Sequence, residues 1–159
     1  MGDIIKPKHG PEWHIQQRLV QVLVDRGWLV EVMHGNAFQR GIPDLYLFER
    51  ERGFRWVDVK NPKKYTFTKA QRIKWPIWDR AGLGIWILTG STQSEYDKLF
   101  QPPNWKDYWK SSWEMPTEEE LDAAIAALWD EEGDDFDYEI LDSSREGDSQ
   151  ISDSSWYDM

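Results

Sequence analysis

Two aspartates, a lysine and a glutamate are the residues here whose types and spacing point to chemistry. Asp44 stands at the head of the apolar run Leu45-Tyr46-Leu47-Phe48, and Asp58 and Lys60 end the run Phe54 to Lys60. Side chains on a strand alternate between faces. Asp44, Tyr46 and Phe48 therefore share one face of their strand, and Trp56, Asp58 and Lys60 share one face of theirs. A short charged loop ending in Gly53 joins the two runs, which predicts a hairpin. Centred near Glu51, such a hairpin pairs positions whose numbers sum to about 102 and sets Asp44 opposite Asp58. Directly opposed side chains lie about 5 Å apart at Cβ. Two carboxylates at that distance repel, and a divalent cation is their natural partner.

Such a set suits phosphodiester hydrolysis. Carboxylates hold a cation that lowers the pKa of a bound water and neutralises charge building on the phosphate. Lys60, two residues beyond Asp58 and on its face, is in reach to orient the water and stabilise the transition state. Glu12, on the first helix, is placed to complete the metal shell or to bind a water just outside it. The ligand set Glu12, Asp44 and Asp58 suits Mg²⁺, with Mn²⁺ as the alternative. There is no cysteine, and His9, His14 and His34 lack zinc-ligand spacing.

The elements that must position these residues can be read from periodicity. Pro11 fits the first position of a helix, and Trp13, Gln16, Leu19, Val20 and Leu23 recur at helical steps up to Gly27. Trp28 to Met33, Ile42 to Phe48 and Phe54 to Lys60 read as strands, with Pro62 blocking continuation. Thr68 with Gln71 forms a capping box for a helix to about Ala81, followed by Gly82. Gly84 to Leu88 reads as a buried strand and Ser94 to Phe100 as a short helix. Residues 102–116 are rich in Trp, Tyr and Pro; Trp105, Tyr108, Trp109 and Trp113 are assigned to packing first and to base stacking second. Thr117 with Glu120 caps a last helix to about Trp129. The expected fold is α/β: a mixed central sheet flanked by helices, with an acidic C-terminal extension.

Net charge is −10, but it is unevenly spread. Residues 1–116 carry 18 Lys and Arg against 13 Asp and Glu, whereas residues 117–159 carry one Arg against 16 acids. The first part, residues 1–116, is the expected catalytic domain. The second, residues 117–159, is expected to be an acidic helix and a disordered tail. Lys63, Lys64, Lys69, Arg72 and Lys74, together with Arg40, form a basic set suited to phosphate contact, with Lys6 and Lys8 as further candidates. No apolar run has membrane-spanning length and the first residues lack a secretory signal, so an intracellular, cytoplasmic protein with no membrane partner is expected.

Ile42-Pro43-Asp44 followed by Asp58-Val59-Lys60 resembles the PD-(D/E)xK nuclease superfamily. The ordered set Glu12-x3-Gln16, Gly41-Ile42-Pro43-Asp44, Asp58-x-Lys60 and Gln71 is similar to VRR-NUC nucleases and to archaeal Holliday-junction resolvases, over roughly residues 10–90. These families more often carry Glu where Asp58 stands, and no clear Val-Arg-Arg signature is present. The resemblance implies a restriction-endonuclease-like core. It implies Mg²⁺-dependent endonuclease activity on branched or structured DNA in replication, recombination or repair, as in phage-encoded enzymes. It also implies Glu12, Asp44, Asp58, Lys60 and Gln71 as catalytic residues, and a homodimer. Read as structure alone, Glu12 complements a helix dipole and Gln71 caps a helix. The alternatives are a restriction-type or nicking endonuclease on ordinary duplex, and a non-catalytic adaptor whose acidic tail meets a replication or repair protein.

Overall fold

The computed structural model describes residues 10–34 and 40–128. The expected disordered tail, Lys6 and Lys8 lie outside them. The chain divides into two compact units between Met115 and Pro116.

The first unit is built on a four-stranded mixed sheet. Helix α1 (Pro11–Asp25) leads into β1 (Leu29–Val32), β2 (Leu45–Glu49) and β3 (Gly53–Val59). Helix α2 (Lys69–Arg80) connects β3 to β4 (Ile85–Leu88), and α3 (Gln93–Asp97) runs into the 3-10 turn Lys98–Phe100. Strand order follows the chain, with antiparallel β1–β2 and β2–β3 pairs and a parallel β3–β4 pair. That parallel pair needs a crossover, which α2 supplies. The second unit holds α4 (Glu118–Leu128). Thr117 Oγ1 accepts the Glu120 amide at 3.1 Å, as the expected cap requires.

The sheet separates two cores. On one face, Leu19 and Leu23 of α1 pack with Leu45, Leu47, Val57, Val59 and Leu88. On the other, Trp75 of α2 packs with Phe67, Ile85, Ile87 and Trp105. Each fully buried side chain of this size contributes about 1.5–3 kcal/mol. The tryptophans of residues 105–113 belong to this second core: Trp105 is buried, and Trp109 and Trp113 pack against it. Packing, the first assignment made for them, is what the structure shows.

The hairpin has the expected register. Leu45 pairs with Val57 and Tyr46 with Trp56, so the same register carried one step outward brings Asp44 to Asp58. The second strand is shorter than expected, because regular pairing begins at Leu45 and not at Ile42. The residues before it are held instead by α2. Gly41 has φ +84°, and a Cβ there would lie 2.9 Å from the Ala70 backbone. The Gly41 carbonyl accepts the Trp75 indole N–H at 2.7 Å. Only glycine permits both the positive φ and this approach, and Asp44 follows three residues later.

Helix α2 starts on the full capping box of Thr68 and Gln71. It ends in a Schellman closure at Gly82, φ +102°, whose amide bonds Asp79 while the Leu83 amide bonds Trp78. The short helix expected over Ser94–Phe100 is split into α3 and the 3-10 turn. No described helix is long and apolar enough to cross a membrane.

Candidate active site

Asp44 and Asp58 meet at the end of the β2–β3 hairpin. The Asp44 amide donates to Asp58 Oδ1 at 3.3 Å, and Asp44 Oδ2 accepts the Val59 amide at 2.8 Å. Each carboxylate is therefore oriented by backbone of the other strand. Asp58 is 1% exposed and lies on the α2 side of the sheet, opposite Ile87 of β4.

Lys60 follows β3 and is 5% exposed. Its backbone amide donates to the Leu88 carbonyl at 3.1 Å, which prolongs the β3–β4 pairing by one residue. Its ammonium lies 2.9 Å from Asp58 Oδ2 and donates to Gln71 Oε1 at 3.1 Å. The rings of Phe67 and Trp75, with centroids 5.4 and 5.8 Å from the ammonium, enclose it. Its surroundings are thus one carboxyl group, one amide oxygen and two aromatic faces.

Gln71 ties the helix to the strand. Its Oε1 accepts the Thr68 amide at 3.0 Å as well as the Lys60 ammonium, and its Nε2 lies 3.4 Å from Asp58 Oδ1. The two meanings read for Gln71 in the sequence, helix cap and site residue, are one arrangement.

The electrostatics follow from burial. Desolvation, and then the Asp44 charge, push the Asp58 carboxyl up to about 8, against the attraction of Lys60. Desolvation also raises Asp44 above its ordinary value, opposed by the Val59 amide and Lys60. Asp58 Oδ2 is buried without a hydrogen bond. The Lys60 ammonium is close enough for an ion pair with it, but the contact lacks hydrogen-bond alignment. Two carboxyl groups thus meet beside one ammonium, and a cation held there would displace the Asp58 proton. A hard divalent cation fits that donor set, with Asp44 and Asp58 as the residues that would hold it.

Glu12 is placed differently. Its Oε1 accepts the Asn61 amide at 3.3 Å, which draws the first turn of α1 to the end of β3. Among the described residues no three His, Asp or Glu side chains converge as a metal-binding group. The expected trio is therefore brought together as a pair, with Glu12 at the rim. His34 is exposed.

The basic set separates as well. Lys63, Lys64, Lys69 and Arg40 are exposed. Lys74 donates instead to the Arg40 carbonyl, and Arg72 lies over the Trp113 ring at 5.4 Å. These two side chains therefore have partners within the fold. Lys64 lines a cleft of about 780 Å³ that also receives Glu12, Trp13, Lys60, Asn61, Tyr65 and Lys110. The sequence reading missed Asn61, Tyr65 and Lys110. Asn61, adjacent to Lys60, carried a proximity signal. Lys110 is 45 positions from Tyr65, whose carbonyl it bonds, and no local pattern marks it.

No family model matches this chain, and neither does any curated protein or any solved structure.

Proposed function

We propose that this protein is a Mg²⁺-dependent DNA endonuclease of the PD-(D/E)xK type, with Asp44, Asp58 and Lys60 at its centre and a restriction-endonuclease-like core. The observation that carries the reading is the buried Asp58 carboxyl, opposed by Asp44 and paired with Lys60. A cation held by the two aspartates would supply an activated water and charge neutralisation at the phosphate.

The remaining roles belong to the chain itself. Lys60 offers donors to a developing negative charge, and its burial strengthens that attraction. Gln71 holds the ammonium in place through its oxygen and steadies Asp58 through its nitrogen. Glu12 secures the Asn61 backbone and offers a second carboxylate oxygen to the cleft. Lys63, Lys64 and Lys69 offer exposed charge for the phosphate backbone.

The test is cleavage of junction, flap, single-stranded and duplex DNA with Mg²⁺, Mn²⁺, Ca²⁺ or excess chelator. Turnover is expected with Mg²⁺ or Mn²⁺, with Ca²⁺ supporting binding alone. Full activity in chelator, or no cleavage of any substrate with Mg²⁺, would refute the proposal.

A further inference from the structure

We infer that the cleft beside Lys60 is a subsite for one unpaired nucleotide, so that DNA bearing a single-stranded segment is the preferred ligand; the inference rests on the nuclease reading. The cleft measures about 780 Å³, within the range of small-ligand sites and large enough for a base with its sugar and phosphate.

Its walls have the chemistry of a nucleotide site. Trp13 stands on the rim with 39% of its surface exposed. Tyr65 is held rigidly: its hydroxyl donates to the Tyr108 carbonyl at 3.1 Å, and its ring packs edge-on against the Tyr108 ring at 5.5 Å. Lys110 donates to the Tyr65 carbonyl at 2.8 Å, and its ammonium lies 4.8 Å from the Tyr65 ring. Lys60, Lys64 and Lys110 are basic residues of the lining, and Glu12 is the one acid among the residues that line it. An exposed indole beside a lysine-rich lining matches an unstacked base and its phosphate.

A base pair in duplex DNA does not meet these requirements. Its faces are covered by neighbouring pairs, and a side-chain ring reaches a base face only when the base leaves the stack. Single strands, flaps and frayed ends present such bases at little cost. Blunt duplex retains only its phosphates, which Lys64 contacts from outside. The cleft therefore discriminates by strand state and not by base identity, because every base has a face to stack.

The experiment uses the full chain in Ca²⁺ and low salt, with a fluorescent 12-nucleotide single strand, the same sequence as blunt duplex, and a duplex carrying a short overhang. Fluorescence anisotropy reads affinity. Single strand and overhang are expected to bind about fivefold or more tighter than blunt duplex, as one stacked base provides. Trp13→Ala removes most of that difference while duplex affinity stays within about twofold, Trp13→Phe restores it, and Lys64→Ala weakens all three ligands. Equal affinity for single strand and blunt duplex, no binding of either, or equal weakening of both by Trp13→Ala would overturn the inference. Cleavage without strand preference overturns the subsite alone. Strand-selective binding without cleavage keeps the subsite and overturns the nuclease reading.

Discussion

The Asp44 amide donates to Oδ1 of Asp58 across the end of the hairpin, while the Asp44 carboxylate takes the amide of the residue that follows Asp58. Neither carboxylate can turn away from the other without releasing a backbone group. The acids are thus positioned by main-chain hydrogen bonds within the fold itself.

Replacing either acid by its amide is expected to stop cleavage and to spare DNA binding. Asp44→Asn and Asp58→Asn should each lower turnover about a hundredfold or more, with DNA affinity unchanged or higher because a negative charge near phosphate is gone. Glu12→Gln should cost less, since Glu12 touches the Asn61 backbone and not the aspartate pair. Single-turnover cleavage beside a binding assay checks this. Near wild-type turnover in Asp44→Asn would move the site elsewhere.

Lys60→Ala should lose turnover with little change in metal affinity. Gln71→Ala should do more. It removes the reciprocal cap of α2 together with the contacts to Lys60 and Asp58, so a loss of about 1–2 kcal/mol of stability should accompany the fall in rate. Denaturant unfolding and metal titration of both variants separate the two effects. Wild-type stability in Gln71→Ala would show that the cap is dispensable.

The metal-free protein should lose stability as pH rises from about 4 to about 8. Asp58 takes up its proton at about 8 when folded, against 3.8 ordinarily. Between those values the folded chain keeps a proton that the unfolded chain has released. The stabilisation is complete below the ordinary value and is lost as pH climbs through the folded one. Mg²⁺ competes with that proton, so the rise in Tm on adding Mg²⁺ should be larger at pH 8 than at pH 5. Asp58→Asn should flatten the metal-free slope. A Tm gain from Mg²⁺ that is the same at both pH values would contradict the assignment.

Residues 117–159 carry 16 acids and one arginine. Tethered to a basic domain, such a segment would compete with DNA for the same charge. Truncation after Pro116 should tighten non-specific duplex binding at low salt, with the gap closing as salt rises. Equal binding by full-length and truncated protein at low salt would leave the segment no inhibitory role.

The hairpin was legible in the sequence because two features agreed: a strand-length run on each side, and a charged loop whose centre fixes the register. Together they placed Asp44 across from Asp58 without reference to anything distant. The Thr68–Gln71 cap was legible for the same reason, being local. What was not legible depends on residues far apart in the chain. Lys74 and Arg72 looked like Lys63 and Lys64 in composition, yet a loop carbonyl at residue 40 and the Trp113 ring engage them. Periodicity could not foresee those partners. The cleft wall of Tyr65 and Lys110 was hidden likewise, since it forms only when the Trp-rich stretch packs behind α2. Glu12 was placed at the correct end of the sheet, and its partner there, the Asn61 amide, lies 49 positions away.

The capping box at the start of α2 makes the site a reporter of local unfolding. Helix ends open and close far more often than whole domains do. Each time the first turn of α2 opens, Gln71 lets go of Thr68, and the brace on Lys60 and Asp58 goes with it. The fraction of molecules with the brace in place at any instant is then set by the opening equilibrium of one helical turn, and exchange of the Gln71 amide proton with solvent would count it. A ligand that fixes Lys60 would slow that exchange from across the strand.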